Sequence, residues 1–314
     1  MRAAVPLAAP APAAVPLPLL AAGFCLMWSS AFALSRLAML DCPPLTLLAI
    51  RCVAAGAIML AAAGILRGGR RFARRDLAIY AALGIANYAL YLGMNYLAMA
   101  HGASAGLAAL VASANPILTA VLAAAVLGEP LTARKVAGLA LGIGGVAVIL
   151  QGRLTGGESL GATALLLGAL LTLVGGTILF KRLAPQGSML IGNGVQNLAG
   201  GLAVAPFAAT LENVGDIVPS TRLLLALSAL VLLSSIVAYL LWFHILSVAG
   251  ASTASAYHFL MPPLGLFFGW LLLGERAEPL DLVGVLPVAL GVWLVTHAAA
   301  PRAGKPGALN RGGT

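Results

Sequence analysis

Apolar blocks of about 15 to 25 residues, parted by short polar gaps, run through nearly all of this chain and limit what it can fold into. A helix of about 20 residues crosses roughly 30 Å of hydrocarbon. Lipid cannot hydrogen-bond an open backbone, so blocks of that length must be helical. The blocks fall at 17–36, 43–66, 77–100, 103–127, 136–151, 159–180, 188–210, 222–246, 252–274 and 280–298. They predict an all-α membrane protein of ten transmembrane helices. The turns at His101-Gly102 and Ala249-Gly250-Ala251 are so short that eight or nine spans are the alternatives. Only 9% of residues are charged, against about a quarter in soluble domains, too few to clothe a soluble fold.

The net charge of +9 does not point to nucleic acid, because the basic residues sit in the gaps rather than on a stripe. Their distribution reads as topology instead. Arg2, Arg67, Arg70, Arg71, Arg74, Arg75, Arg134, Lys135, Lys181, Arg182, Arg302, Lys305 and Arg311 fall in one set of alternate loops and tails. Arg36, Arg153, Arg222 and Arg276 fall in the other. The positive-inside rule then puts both termini in the cytoplasm of a multi-pass inner-membrane protein. Residues 1–16, rich in Ala and Pro, read as a disordered tail, and 299–314 as a basic cytoplasmic tail. Ala31-Phe32-Ala33 imitates a signal-cleavage site, but only Arg2 precedes it and a Pro-rich stretch intervenes, so the first block is read as retained.

Two segments align without gaps at an offset of 146. Asn115-Pro116-Ile117-Leu118 leads to Leu127-Gly128-Glu129, Gly138 and Gly145. Met261-Pro262-Pro263-Leu264 leads to Leu273-Gly274-Glu275, Gly284 and Gly291. The repeat divides the chain into five-span units at 17–151 and 159–298. An odd number of spans turns the second unit over, giving two inverted five-helix repeats around a central cavity, with substrate expected at the midplane.

Trp28-Ser29-Ser30-Ala31-Phe32, Pro43-Pro44 followed by Arg51, and the duplicated Pro…Leu-Gly-Glu…Gly together resemble the drug/metabolite transporter superfamily, EamA type. A Trp-Ser-Ser element stands where that family usually has a Trp-Gly-Ser-like one. The resemblance implies ten helices, a cavity open to one side at a time, and movement of small organic solutes such as amino acids. The expectation is a secondary transporter, read as an exporter. The alternative is a non-transporting membrane bundle with a lipid-handling or regulatory role. The expected partners are a small-molecule substrate and the lipid bilayer, with the chain a monomer or homodimer.

Arg51 is the one full charge well inside a predicted span, either a contact for a substrate carboxylate or phosphate or a structural cap. Asn87, Tyr91 and Asn95 recur at i, i+4 and i+8 beside Tyr88, and Asn193, Gln196 and Asn197 share a face of the seventh block. Those faces read as cavity lining, with interhelical packing as the competing reading. Tyr239, Trp242 and His244 in the eighth block and Ser252, Ser255 and His258 in the ninth add polar or aromatic candidates. The chosen substrate-binding set is Arg51, Tyr88, Tyr91, Asn95, Asn193, Asn197, Tyr239, Trp242 and His258. Glu129 and Glu275 read as helix caps. Pro116, Pro262 and Pro263 are expected to break or bend their helices near the centre. Cys25, Cys42 and Cys52 lack metal spacing, and no Walker-type loop or catalytic triad appears, so no enzyme activity, metal or cofactor is expected.

Overall fold

The computed structural model describes residues 16–65, 73–128, 132–155, 157, 159–183, 185–242, 244–245 and 257–296. Every regular element among them is a helix. They are α1 (Leu17–Ala38), α2 (Pro44–Ile65), α3 (Arg74–Ala100), α4 (Ala105–Ala112), α5 (Asn115–Leu127), α6 (Ala133–Thr155), α7 (Leu160–Leu183), α8 (Met189–Leu211), α9 (Thr221–Trp242), α10 (Met261–Leu273) and α11 (Pro279–Thr296). Seven spans are long and apolar enough to cross a membrane; the fourth of these joins α4 and most of α5. α10 and most of α11 are shorter apolar helices. α8 is 23 residues long, but Asn193, Gln196 and Asn197 dilute its hydropathy. Large apolar side chains such as Leu224, Leu225, Trp270, Leu282 and Leu286 face outward, as a lipid-facing surface requires.

The prolines start helices. Pro116 is the second residue of α5, after a break at Ser113-Ala114, and Pro262 and Pro263 open α10. A first turn needs no N–H from these positions and welcomes the fixed φ of proline. α10 ends at Gly274, whose φ of 67° admits the left-handed cap. Gly274 N donates to the Trp270 carbonyl, the bond of a left-handed helix cap, and Glu275 N donates to the Gly269 carbonyl as the chain leaves the helix. Gly128, at the matching place in the first repeat, has φ 68°. Glu129 lies outside the described residues.

Two glycine-lined helix pairs organise the bundle. α2 packs on α8, and α6 packs on α11. A Cβ on Gly56 would stand 2.8 Å from Leu198 N, and one on Gly201 would stand 2.9 Å from Val53 N. A Cβ on Gly145 would stand 2.7 Å from the Gly284 carbonyl, and one on Gly291 would stand 2.5 Å from the Gly138 carbonyl. In each pair the residue number rises along one helix as it falls along the other, so the partners run antiparallel. Backbones this close leave no room for a side chain, and small residues at helix interfaces serve that purpose in lipid. Around these pairs α1 packs on α9 and α10, while α3 packs on α7 and α8. α4 lies against α10, and α5 against α7.

α3 and α9 are not regular. Ile85–Leu92 in α3 and Leu230–Val237 in α9 are π-helical, eight residues each. A π turn is wider than an α turn and shifts the phase of every side chain beyond it. Periodicity alone does not reveal such a segment.

Candidate functional site

Arg51 stands seven residues beyond the start of α2, about 10 Å into the helix at 1.5 Å per residue, and is 5% exposed. Its Nε donates to Ser235 Oγ at 3.1 Å and its Nη1 to the Tyr96 hydroxyl at 3.0 Å. The Tyr96 hydroxyl stands 2.9 Å from Ser35 Oγ, which donates to the Ala31 carbonyl at 2.7 Å. Ser235 lies in the π segment of α9 and works twice, because its carbonyl accepts from Asn193 Nδ2 at 3.1 Å. Asn193 Oδ1 in turn accepts the Tyr88 hydroxyl at 2.6 Å. Asn197 Nδ2 donates to both Asn193 O and Asn193 Oδ1 at 3.0 Å. Tyr239 is within hydrogen-bonding reach of Tyr88 and Gln196. One continuous buried polar chain therefore joins α1, α2, α3, α8 and α9.

The structure thus brings together Arg51, Tyr88, Asn193, Asn197 and Tyr239. The other chosen residues are placed differently. Asn95 is buried, and its Nδ2 donates to the Tyr91 carbonyl of its own helix at 2.8 Å. Tyr91 is buried beside that bond. Trp242 stacks on Phe24 at 5.2 Å between ring centroids, in a satellite apolar cluster of α1, α9 and α10. The His258 backbone is in the 3-10 turn Tyr257–Leu260, and its side chain lies outside the described residues, as do Ser252 and Ser255. Asn87 does not share the Tyr88 face: it meets Gly176 of α7, while Tyr88 turns to α8. Consecutive residues point about 100° apart on a helix of 3.6 residues per turn, so adjacency in sequence does not put Asn87 and Tyr88 on one face.

Sequence reasoning missed Ser35, Tyr96 and Ser235, the groups that hold Arg51. Tyr96 is out of register with the stripe upstream of the π segment, and serines in apolar helices are too common to stand out. The missed residues at one end of the bundle are as informative. Asp41, between α1 and α2, accepts from Ser220 Oγ at 2.6 Å, from Arg222 Nε at 2.7 Å and from Arg222 Nη2. Its carbonyl accepts from Val218 N at 2.8 Å. Glu212, just past α8, accepts from Leu45 N, Thr46 N and Thr46 Oγ1 at 2.7–2.8 Å, capping α2. Glu275 caps α4 by accepting from Ala105 N and Gly106 N at 2.7 and 2.9 Å. The repeated Leu-Gly-Glu carboxylate is therefore a cap at Glu275, but for a helix 170 positions away in sequence rather than for the next one. Arg222 and Ser220 hold the Asp41 carboxyl down at about 2. Burial, and then the Glu212 charge, push the Cys42 thiol up to about 11. At the far end of α3 the described contact is slighter: exposed Arg75 donates Nη2 to the Leu183 carbonyl at 3.3 Å.

The EamA-like transporter family matches the chain twice, over residues 17–151 and 160–297. The chain belongs to the EamA-like transporter family. The S-adenosylmethionine/S-adenosylhomocysteine transporter of Chlamydia trachomatis serovar D is 31% identical over 286 residues, covering 86% of each chain. The inner membrane transporter YedA of Escherichia coli K12, whose function is uncharacterized, is 26% identical over 89% of this chain and 91% of its own. A protein of Streptantibioticus cattleyicolor named "Probable terminal-alkyne amino-acid exporter" is 28% identical over 88% of this chain and 91% of its own. A crystal structure 22% identical in sequence shares the fold with a TM-score of 0.66, covering 91% of this chain and 98% of its own. The protein is a multi-pass inner-membrane protein of a transporter family. Ser35, Arg51, Tyr88 and Tyr96 come from the first EamA match, and Asn193, Asn197, Ser235 and Tyr239 from the second. The buried polar chain is where the two matched segments meet.

Proposed function

We propose that this EamA protein is a secondary transporter, an exporter, of small organic metabolites related to amino acids. It works by alternating access between two inverted five-helix halves. The carrying observation is the polar chain through Arg51, Ser235 and Asn193, which places hydrogen-bonding groups of both halves at one buried interface. Such groups are costly in a membrane bundle and are kept where they meet a solute or one another.

Three features support the inversion. α2 and α8 stand in corresponding places in the two units, as do α6 and α11, and each pair is antiparallel. The close approach of Gly56 to Leu198 becomes that of Val53 to Gly201 when the partners are exchanged at an offset of 145, and Gly145 on Gly284 becomes Gly138 on Gly291 at 146. The π segments also correspond, Leu230–Val237 lying 145 positions beyond Ile85–Leu92. Together they support an approximate two-fold axis perpendicular to the helices. Inverted-repeat carriers rock about such an axis.

The carboxylate ties of Asp41, Glu212 and Glu275 occupy loops that the charge distribution assigns to the periplasm. They support a state shut to that side, in which solute is loaded from the cytoplasm. The names of the Chlamydia and Streptantibioticus relatives support amino-acid-related solutes. One observation favours the non-transporting bundle: Asn193 and Asn197 bond each other instead of facing open space. Arg51 weighs against it, because a closed structural core has no use for a charge with no counter-ion among the described residues.

Proteoliposomes loaded with a radiolabelled panel of amino acids, S-adenosylmethionine and short organic acids test the reading. Time-dependent, protein-dependent movement of at least one compound is expected. Folded protein that moves none of them would remove the transporter assignment.

A further inference from the structure

We infer that Arg51 is an anchor for one carboxylate of the solute, and that it makes the site selective for monoanionic or zwitterionic acids over their uncharged or amide forms. This rests on the transporter reading and specifies its substrate class. The guanidinium is 5% exposed, and the partners of Nε and Nη1 are the neutral hydroxyls of Ser235 and Tyr96. Neither neutralises it. Nη2 donates to no described residue, so both its hydrogens and one on Nη1 remain, the pair of edges that a carboxylate bridges in fork geometry.

Among the described residues no carboxylate competes for that edge. Asp41 is held by Ser220 and Arg222. Glu212, which caps the same helix, has both oxygens on the backbone and hydroxyl of Leu45 and Thr46. Glu275 caps α4, Asp76 lies beside Arg75, and Asp281 Oδ2 accepts from Glu278 N. The other described basic residues stand at helix ends or in loops, so no second cation joins Arg51 in the polar chain. One fixed positive charge suits one negative charge, and a dianionic phosphate would call for two. The hydroxyls of Tyr96 and Ser235 come from opposite halves and fix the plane of the guanidinium. The anchor is therefore complete only where the halves meet, and any rocking of one half on the other alters it. A charged hydrogen-bond pair of this kind discriminates by about ten- to hundred-fold.

The test uses the full chain as wild type, Arg51→Lys and Arg51→Gln in proteoliposomes. The probes are radiolabelled L-leucine, L-methionine and propionate, each beside its carboxamide. The inference expects wild type to move at least one acid about ten-fold or more faster than its amide. Arg51→Lys should keep a reduced preference of the same sign, and Arg51→Gln should lose it. Amide moving as fast as acid in wild type overturns the inference, and so does a preference that survives in folded Arg51→Gln, which would leave Arg51 a structural residue only. A binding measurement separates this from failure of transport. Propionate, but not propionamide, should raise the unfolding midpoint of detergent-solubilised wild type, and the shift should vanish in Arg51→Gln. A shift without movement of any solute would sink the transporter reading and spare the anchor. The same midpoint in both additives, with solutes moving and no preference for acids, would sink the anchor alone. Should Arg51→Gln fail to fold, the acid-against-amide comparison in wild type and Arg51→Lys decides.

Discussion

Ser235 carries two jobs with two different atoms: its hydroxyl accepts from Arg51 and its carbonyl from Asn193. Removing a side chain in this chain leaves a buried donor bare, so Tyr96→Phe, which takes an acceptor from a charged group, should cost about 1.5–3 kcal/mol. Thermal unfolding of the purified protein in detergent would show it as a lowered midpoint, and an unchanged midpoint would mean that Tyr96 does not hold Arg51. Glycines give a second prediction at this scale. In an isolated helix Gly→Ala is favourable by about 1 kcal/mol. At Gly56 the new methyl would press on Leu198 N and the Gly194 carbonyl, both backbone atoms that cannot rotate away. Gly56→Ala should therefore destabilise by about 1–3 kcal/mol, whereas Gly64→Ala, with open space around it, should not. The same unfolding assay compares the two.

Between elements, the carboxylate ties do what distant sequence positions cannot announce. Asp41 fastens the α1–α2 turn to the start of α9, and Glu212 fastens the end of α8 to the start of α2. Because Asp41 is held at about 2, below its ordinary 3.8, its tie adds stability at every pH above the ordinary value and loses it only as pH falls through about 2. Mild acidification should accordingly leave this tie intact. Cys42 is a native reporter, buried next to Asp41 with its thiol pushed up to about 11. In a chain with Cys25 and Cys52 replaced by Ala, alkylation of Cys42 should be slow and equally so at pH 7 and pH 5 once corrected for intrinsic thiol reactivity. It should quicken several-fold in Asp41→Asn. Rapid labelling of the parent at pH 7 would show that the end is not closed.

At the scale of the whole molecule, the inverted arrangement proposed above would fix which loops share a side. His101, Val214 and Arg276 are exposed at ends tied together by the Glu275 and Asp41 contacts, and Arg75 and Gln186 are exposed at the opposite ends of their spans. Single cysteines at the first three positions, in a thiol-free chain, should react with an impermeant maleimide from the periplasmic side of cells. Cysteines at 75 and 186 should react only after the membrane is opened. Labelling of positions 276 and 75 from one side would dismantle the two-fold relation, and with it the rocking of one half on the other.

Sequence and structure divide the protein unevenly. The helical character, the approximate span ends and the membrane location were already legible, because hydrocarbon length and the cost of open backbone act on any apolar block alike. The Pro…Leu-Gly-Glu…Gly repeat was legible because turn chemistry is written in a few residues that cannot be exchanged. Arg51, Tyr88, Asn193, Asn197 and Tyr239 could be picked as candidates because polar groups are rare in such helices, yet nothing in the sequence says which of them touch. The π segments of α3 and α9 shift the faces that simple periodicity assigns to residues beyond them, and Tyr96, beyond the first, meets Arg51. The caps of Glu212 and Glu275 span more than 160 positions. Local physics, repeated along the chain, fixes the helices. Only their packing, which depends on all of them at once, decides that a charge, the hydroxyls around it and two amides join in one buried polar chain.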